Sequence, residues 1–177
     1  MSFLKKQYVV LVDENNKRLG IQEKMHAHIE AKHHRAFSIF VFNNKGELLL
    51  QQREISKYHC GGLWSNTVCS HPKPDENFWQ ATHRRLKEEM GFDCKLKKIF
   101  CFNYEVSFDN GITEKEHDCV FIGKYDGDVL PNKKEVMNYK WISPVILKKD
   151  ILNNPGMYTE WFKIALDRVL IEFSLFL

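Results

Sequence analysis

Four groups of residues in this chain have types and spacings that can do chemistry. The first lies in the run from Asp75 to Met90, which closes Arg84-Arg85-Leu86-Lys87-Glu88-Glu89-Met90-Gly91-Phe92. Carboxylates at that density suit a hard cation such as Mg²⁺. The same pattern also serves as a solvated helix face laced by i,i+4 ion pairs. The second is Ser65-Asn66-Thr67-Val68-Cys69-Ser70-His71-Pro72. In an extended segment Cys69 and His71 point to one side. A cysteine beside a metal or cation is acidified and made reactive, whereas a free cysteine elsewhere is a small buried hydrophobe.

The third group joins Asn103-Tyr104-Glu105 to Gly111-Ile112-Thr113-Glu114-Lys115-Glu116. On a strand, Glu114 and Glu116 share one face. Two carboxylates that close need a proton or a cation between them; the alternative is a strand edge kept soluble by charge. The fourth is His26-x-His28 followed by His33-His34. Clustered imidazoles suit a transition metal, although His26 and His33 read as ordinary loop residues.

The elements that must position these groups are legible from pattern. Tyr8–Val12, Ala36–Phe42, Glu47–Gln52, Glu114–Tyr125 and Val136–Ile142 read as strands, and Cys94–Phe108 as one or two more. Leu19–Glu23 is a hairpin partner for the first. Ser65–Cys69 is a short extended piece. Asn43–Gly46 and Asp109-Asn110-Gly111 are turns. Lys24–His34 and Arg53–Trp64 read as loops. The helix Asp75–Met90 takes Asp75 as its cap and Gly91 as its C-terminal glycine. Its stripes are Trp79, His83, Leu86, Met90 and Phe78, Thr82, Arg85, Glu89. Helices are expected over Pro144–Leu152 and Thr159 to about Phe173. The order predicts an α+β, or layered α/β, fold: a mixed β-sheet with helices packed on its faces.

Composition removes whole classes. The chain has 177 residues, which fits a single domain over 1–177. Aromatics at 13% and a net charge of only +3 exclude a disordered main state. No apolar run is long enough for a membrane span. The start lacks the order of a secretory leader. Charges are mixed along the chain, so no nucleic-acid partner is expected. Five cysteines, Cys60, Cys69, Cys94, Cys101 and Cys119, with no paired spacing, read as free thiols in a reducing cytoplasm. The apolar stretch Leu170–Leu177 reads by default as core packing.

The charged run resembles the Nudix box, Gly-x5-Glu-x7-Arg-Glu-U-x-Glu-Glu-x-Gly-U, where U is aliphatic. Glu76, Arg84, Glu88, Glu89 and Gly91 match it; Ser70 stands for the leading Gly, and Arg85 for the Glu of the Arg-Glu pair. With His34-Arg35-Ala36-Phe37-Ser38, the Trp64–Pro72 segment and Glu114-x-Glu116, the chain resembles the type 1 isopentenyl-diphosphate isomerase family from about Tyr8 to Trp161. The two departures from the box are what that family shows.

The resemblance implies a Nudix-like fold and a reaction that moves a double bond within a five-carbon diphosphate. One carbon is protonated, a tertiary carbocation-like species forms, and a proton leaves another carbon. It implies Cys69 and Glu116 as the acid/base groups, Tyr104 assisting Glu116, and Trp161 against the developing cation. It further implies Zn²⁺ or Mn²⁺ on His28, His34, His71, Glu114 and Glu116, and Mg²⁺ bridging Glu89 and the diphosphate. Lys24, Arg53, Lys57 and Arg85 are the implied diphosphate ligands. The implied partner is a small molecule, with neither nucleic acid nor membrane, in a cytoplasmic monomer or weak homodimer. The alternatives are a Nudix hydrolase of a nucleoside diphosphate, disfavoured by Arg85, and a metal-stabilised binding module.

Overall fold

The computed structural model describes residues 6–175. The first five residues, where the absence of a leader is read, lie outside that range, as do the last two of the apolar C-terminal stretch. The elements are β1 (Tyr8–Val12), β2 (Arg18–Glu23), α1 (Lys24–Ile29), β3 (His34–Phe42), β4 (Leu48–Arg53), β5 (Trp64–Ser65) and β6 (Val68–Ser70). They continue with α2 (Phe78–Met90), β7 (Leu96–Ser107), β8 (Thr113–Lys124), β9 (Val136–Ile142), α3 (Pro144–Asn153), a 3-10 turn (Pro155–Met157) and α4 (Glu160–Ser174).

The strands form one mixed sheet. At its centre β3 runs parallel to β8, from His34 beside Glu116 to Phe42 beside Lys124. The other strand–strand pairings are antiparallel, β7 with β8 and β4 with β9 being the longest. Because β3 is covered on both sides, it reads as a nearly unbroken apolar run rather than an alternation. One face buries Phe40, Phe42, Leu50, Val120 and Ile122 beneath Trp161, Phe162, Ala165 and Val169 of α4. The other buries Phe37, Ile39, Val41 and Phe121 against Ala81, Leu86 and Met90 of α2. The expected mixed sheet with helices on its faces is therefore present. Phe173 stacks on Phe42 with ring centroids 3.6 Å apart, while Ile171 and Leu175 face solvent. Among its described residues, the C-terminal stretch packs through Phe173 and Leu170 and exposes Ile171 and Leu175. Among the described residues, no helix is long and apolar enough to cross a membrane.

Four expectations are corrected. Lys24–Ile29 is a helix, not a loop. It is too short to show a period and is held by the Glu23 carboxylate, which accepts the His26 N–H at 3.0 Å. The cap of α2 is Asn77, not Asp75. Asn77 Oδ1 accepts the Gln80 N–H at 2.9 Å, and Gln80 Oε1 accepts the Asn77 N–H at 3.0 Å, a complete capping box. In the first stripe of α2, Leu86 and Met90 are buried but Trp79 is 69% exposed. Finally, Cys101 and Cys119 are not free thiols. They face each other across β7 and β8 and are disulfide-bonded, leaving Cys60, Cys69 and Cys94 free.

Gly91 ends α2 at φ +77°, and a Cβ there would lie 2.3 Å from the Leu130 carbonyl oxygen. Both the backbone conformation and the backbone neighbour demand glycine. Gly91→Ala is expected to cost more than about 1 kcal/mol of unfolding free energy. Urea denaturation checks this, and an unchanged midpoint would contradict the close approach.

Candidate active site

The sheet's central pairing builds the first half of the site. Because β3 and β8 are parallel and in register, His34 lies beside Glu116, with His34 Nε2 3.3 Å from Glu116 Oε1. The chain leaving β6 brings His71 in, its Nε2 2.8 Å from that oxygen and 3.3 Å from His34 Nε2. Helix α1 supplies His28. The three imidazoles and Glu116 place their ligand atoms within 4.8 Å of one another. His28 Nδ1–H donates to the Lys24 carbonyl at 2.7 Å, and His34 Nδ1–H to the Lys32 carbonyl at 2.7 Å. The first of those bonds leaves the His28 Nε2 lone pair aimed inward, while His34 Nε2 faces Glu116. His28 Nε2 is buried with no hydrogen-bond partner. Burial, then the neighbouring His34, pushes His28 down to about 4. Burial, against the pull of Glu116, pushes His71 down to about 3. Burial opposes charge on His34, but the Glu116 carboxylate beside it raises that imidazole. An orphaned His28 acceptor, two further imidazoles and a carboxylate are a donor set that fits a borderline transition cation. His26, by contrast, is exposed, and His33 stands outside the group.

Glu114 lies beside the four residues gathered within 4.8 Å, joined to Glu116 through Tyr104. Its Oε1 takes a short hydrogen bond from His59 Nε2, and its Oε2 lies 3.1 Å from the Tyr104 hydroxyl. Tyr104 O–H donates to Glu116 Oε2 at 2.6 Å. Burial and the adjacent Glu116 charge drive the Glu114 carboxyl well up. Burial would also raise Glu116, but the hydrogen bonds from His34 and His71 win and hold it well down. Tyr104 thus bridges a carboxyl pushed up, Glu114, and a carboxyl held down, Glu116.

Two residues were missed at this point. Asp118 continues the alternation Glu114, Glu116 on the same face of β8. It accepts from Ser38 Oγ at 2.7 Å and is driven well up by burial and by Glu116. The period-2 pattern was the signal for it. His59 sits in the Arg53–Trp64 loop and carries no sequence signal beyond its residue type.

Cys69, on β6, lines the same cavity of about 610 Å³ as Tyr104, Glu114, Glu116 and Trp161. Burial pushes the Cys69 thiol up to about 12, against the pull of Arg53. The Arg53 guanidinium is buried, with Nη1 3.4 Å from Cys69 Sγ and Nη2 3.2 Å from the His59 carbonyl, and it lines the cavity with Lys24, Lys57 and Arg85. It also lies 5.2 Å from the Trp161 ring. The indole is fixed by its Nε1–H donating to Ser65 Oγ at 3.1 Å.

Lys24, Lys57, Arg84 and Arg85 ring the cavity nearer solvent. Burial, then the charges of Lys57 and Arg85, lowers Lys24 to about 8. Lys57 pairs closely with Glu135, which also lies 3.5 Å from Arg85. Arg85 holds Glu88 at 2.7 Å and Glu89 at 2.5 Å. Glu76, the first glutamate of the box, is tied by two hydrogen bonds to Arg84, at 2.6 and 2.7 Å.

The model of the NUDIX domain family matches residues 32–162. Isopentenyl-diphosphate Delta-isomerase 2 of Aromatoleum aromaticum is 48% identical over 162 residues, covering 92% of this chain and 86% of that protein. The protein of the same name from Photorhabdus laumondii is 48% identical over 157 residues, covering 89% of each. The chain belongs to the isopentenyl-diphosphate Delta-isomerase family, within the Nudix proteins. Among solved structures, DR0079 from Deinococcus radiodurans superposes with a TM-score of 0.69 at 19% identity, covering 83% of this chain and 90% of that one. That likeness shows the fold.

For an isomerase of this family the Arg85 position is informative. The guanidinium occupies Glu89, whose other oxygen accepts from Gln51 at 3.0 Å. Glu89 is buried behind Arg85 rather than on the cavity wall. His28→Ala is expected to lower transition-metal affinity about 10-fold or more, by analogy with the weight of any single orienting or ligating group. Equilibrium dialysis with Zn²⁺ on protein bearing the Cys101–Cys119 bond checks it. Unchanged affinity would remove His28 from the donor set.

Proposed function

We propose that this chain interconverts isopentenyl diphosphate and dimethylallyl diphosphate by proton addition and removal across one cavity. The observation that carries the reading is that two acid/base groups in opposite protonation states line that cavity. Cys69 keeps its proton because it is buried. Glu116 is a carboxylate because two imidazoles hold it. An allylic shift takes one proton in and releases one, so it needs one group loaded and one empty. The reverse direction exchanges the two states.

Tyr104, bridging Glu114 and Glu116, donates to Glu116 and helps hold it as the carboxylate that accepts the departing proton. After turnover Glu116 carries that proton and Cys69 lacks one; exchange with solvent returns both to their starting states. His59, neutral because burial and Arg53 push it down to about 3, donates to the other oxygen of Glu114 and fixes its direction. Protonating an unactivated alkene leaves a tertiary cation. The Trp161 ring supplies a π surface for it, a contact of about 2 kcal/mol when desolvated. The buried walls exclude the water that would capture it.

We assign the transition-metal site to His28, His34, His71 and Glu116, for Zn²⁺ or Mn²⁺. When bound, the ion supplies positive charge that fixes Glu116 and sets its acidity. Lys24, Lys57 and Arg85 face the diphosphate, a role their mutual repulsion supports, since an anion between them relieves it. Mg²⁺ would accompany the diphosphate, with Glu89 as its carboxylate ligand, supplying positive charge to the phosphate oxygens. The substrate is a small molecule, and the cytoplasm is where the free Cys69 thiol is kept reduced.

Two outcomes test the reading. Mixed with isopentenyl diphosphate in D₂O and both metals, the protein is expected to yield the dimethylallyl isomer with deuterium in its methyl group and no free phosphate, seen by carbon NMR. Phosphate release without isomerisation would overturn it. The KM for the diphosphate is expected to rise as pH climbs through about 8, because Lys24 then loses the proton that the anion favours. Lys24→Met should raise KM at pH 7 and remove that inflection. An unchanged pH profile in the variant would take Lys24 out of the anion site.

A further inference from the structure

The β7–β8 hairpin gathers a second set of metal-ligating side chains that the reaction does not use. Along β8, Glu114, Glu116 and Asp118 face the cavity; His117 and Cys119 alternate with them and face the other side. Cys101 is the direct cross-strand partner of Cys119, and Asn103 that of His117. The two sulfurs and a ring nitrogen of His117 lie within 4.8 Å of one another. Asn103 Oδ1 stands 2.7 Å from His117 Nδ1 and accepts its N–H, which leaves the lone pair on Nε2. An outer acceptor of this kind is what orients a metal-bound imidazole. The ring of His33 lies 6.4 Å from that of His117, and its Nε2 is buried without a hydrogen-bond partner. Cys119 is fully buried and Cys101 half-buried, so the sulfurs are screened from bulk water.

We propose that Cys101, His117 and Cys119 form a second metal site, for a thiophilic divalent cation such as Zn²⁺, when the Cys101–Cys119 bond is reduced. Two thiolates and an imidazole are ligands of that class, and His33, its ring 6.4 Å from that of His117, is a further imidazole for the fourth, tetrahedral position. A dithiol reductant passes two electrons and two protons to the disulfide and becomes a disulfide itself. Binding of the cation then displaces the two thiol protons. The disulfide and the metal are therefore mutually exclusive states of one sulfur pair. No residue of this site lines the reaction cavity, so the inference stands independently of the function proposed above.

Co²⁺ uptake followed by absorption spectroscopy tests it, because thiolate ligation gives a near-ultraviolet charge-transfer band that a site of three imidazoles and a carboxylate does not. Phosphine-reduced protein is expected to bind two equivalents, one carrying the band. The disulfide form should bind one, without it. The variant Cys101→Ala/Cys119→Ala should bind one equivalent under either condition, without the band, and isomerise at the wild-type rate. His117→Ala should weaken the second equivalent about 10-fold or more. Uptake and spectrum that are identical in the reduced and disulfide forms of the wild-type chain would overturn the proposal, even if the double variant failed to fold. A band that survives in the double variant would overturn it too, by placing the thiolate at another cysteine.

Discussion

Three imidazole nitrogens and a carboxylate oxygen gathered within 4.8 Å inside a protein are an electrostatic problem that a cation solves. Acceptor atoms buried without donors cost free energy, and His28 Nε2 is left in that state. Much of the architecture serves this one convergence. Parallel pairing of β3 with β8 sets His34 against Glu116, the turn leaving β6 carries His71, and the six-residue α1 is held by its cap so that His28 points inward. Carbonyls of Lys24 and Lys32 fix the tautomers of two rings from outside. In the proposed function Glu116 is both donor and acid/base, so a bound ion would tie metal binding to chemistry.

Charge is graded outward from that point. At the bottom lie Glu116, the Glu114–Tyr104 pair and the uncharged Cys69 thiol; Arg53 is admitted because it meets the sulfur, a carbonyl and the Trp161 face. At the mouth, burial and then the crowding of Lys57 and Arg85 lower Lys24 to about 8. An anionic head held at the mouth and an apolar tail held among Cys69, Tyr104 and Trp161 fit one substrate shape. Arg85 marks the divergence from the phosphate-cleaving pattern. Where the Nudix box has a carboxylate, this chain has a cation already bound to Glu88 and Glu89.

Much of this was legible in the residues. The central strands announced themselves by their apolar content, and β1 and β9 match their expected bounds. Glu114 and Glu116 share a face as their spacing requires, and Cys69 and His71 line one cavity. What escaped was fixed by tertiary contact rather than local pattern. Helix α1 has no apolar period to read. His59 reaches Glu114 across 55 residues from an irregular loop. The partnership of Cys101 and Cys119 depends on the register of a hairpin 18 residues around, which cysteine counting does not reveal.

The central claim is the composition of the metal site at the base of the cavity. X-ray absorption at the zinc edge, on protein loaded with one equivalent of Zn²⁺ and bearing the Cys101–Cys119 bond, reads it directly. Three imidazole nitrogens at about 2.0–2.1 Å with carboxylate oxygen and no sulfur is the result expected. Fewer than three imidazoles, or a sulfur shell at about 2.3 Å, would contradict it.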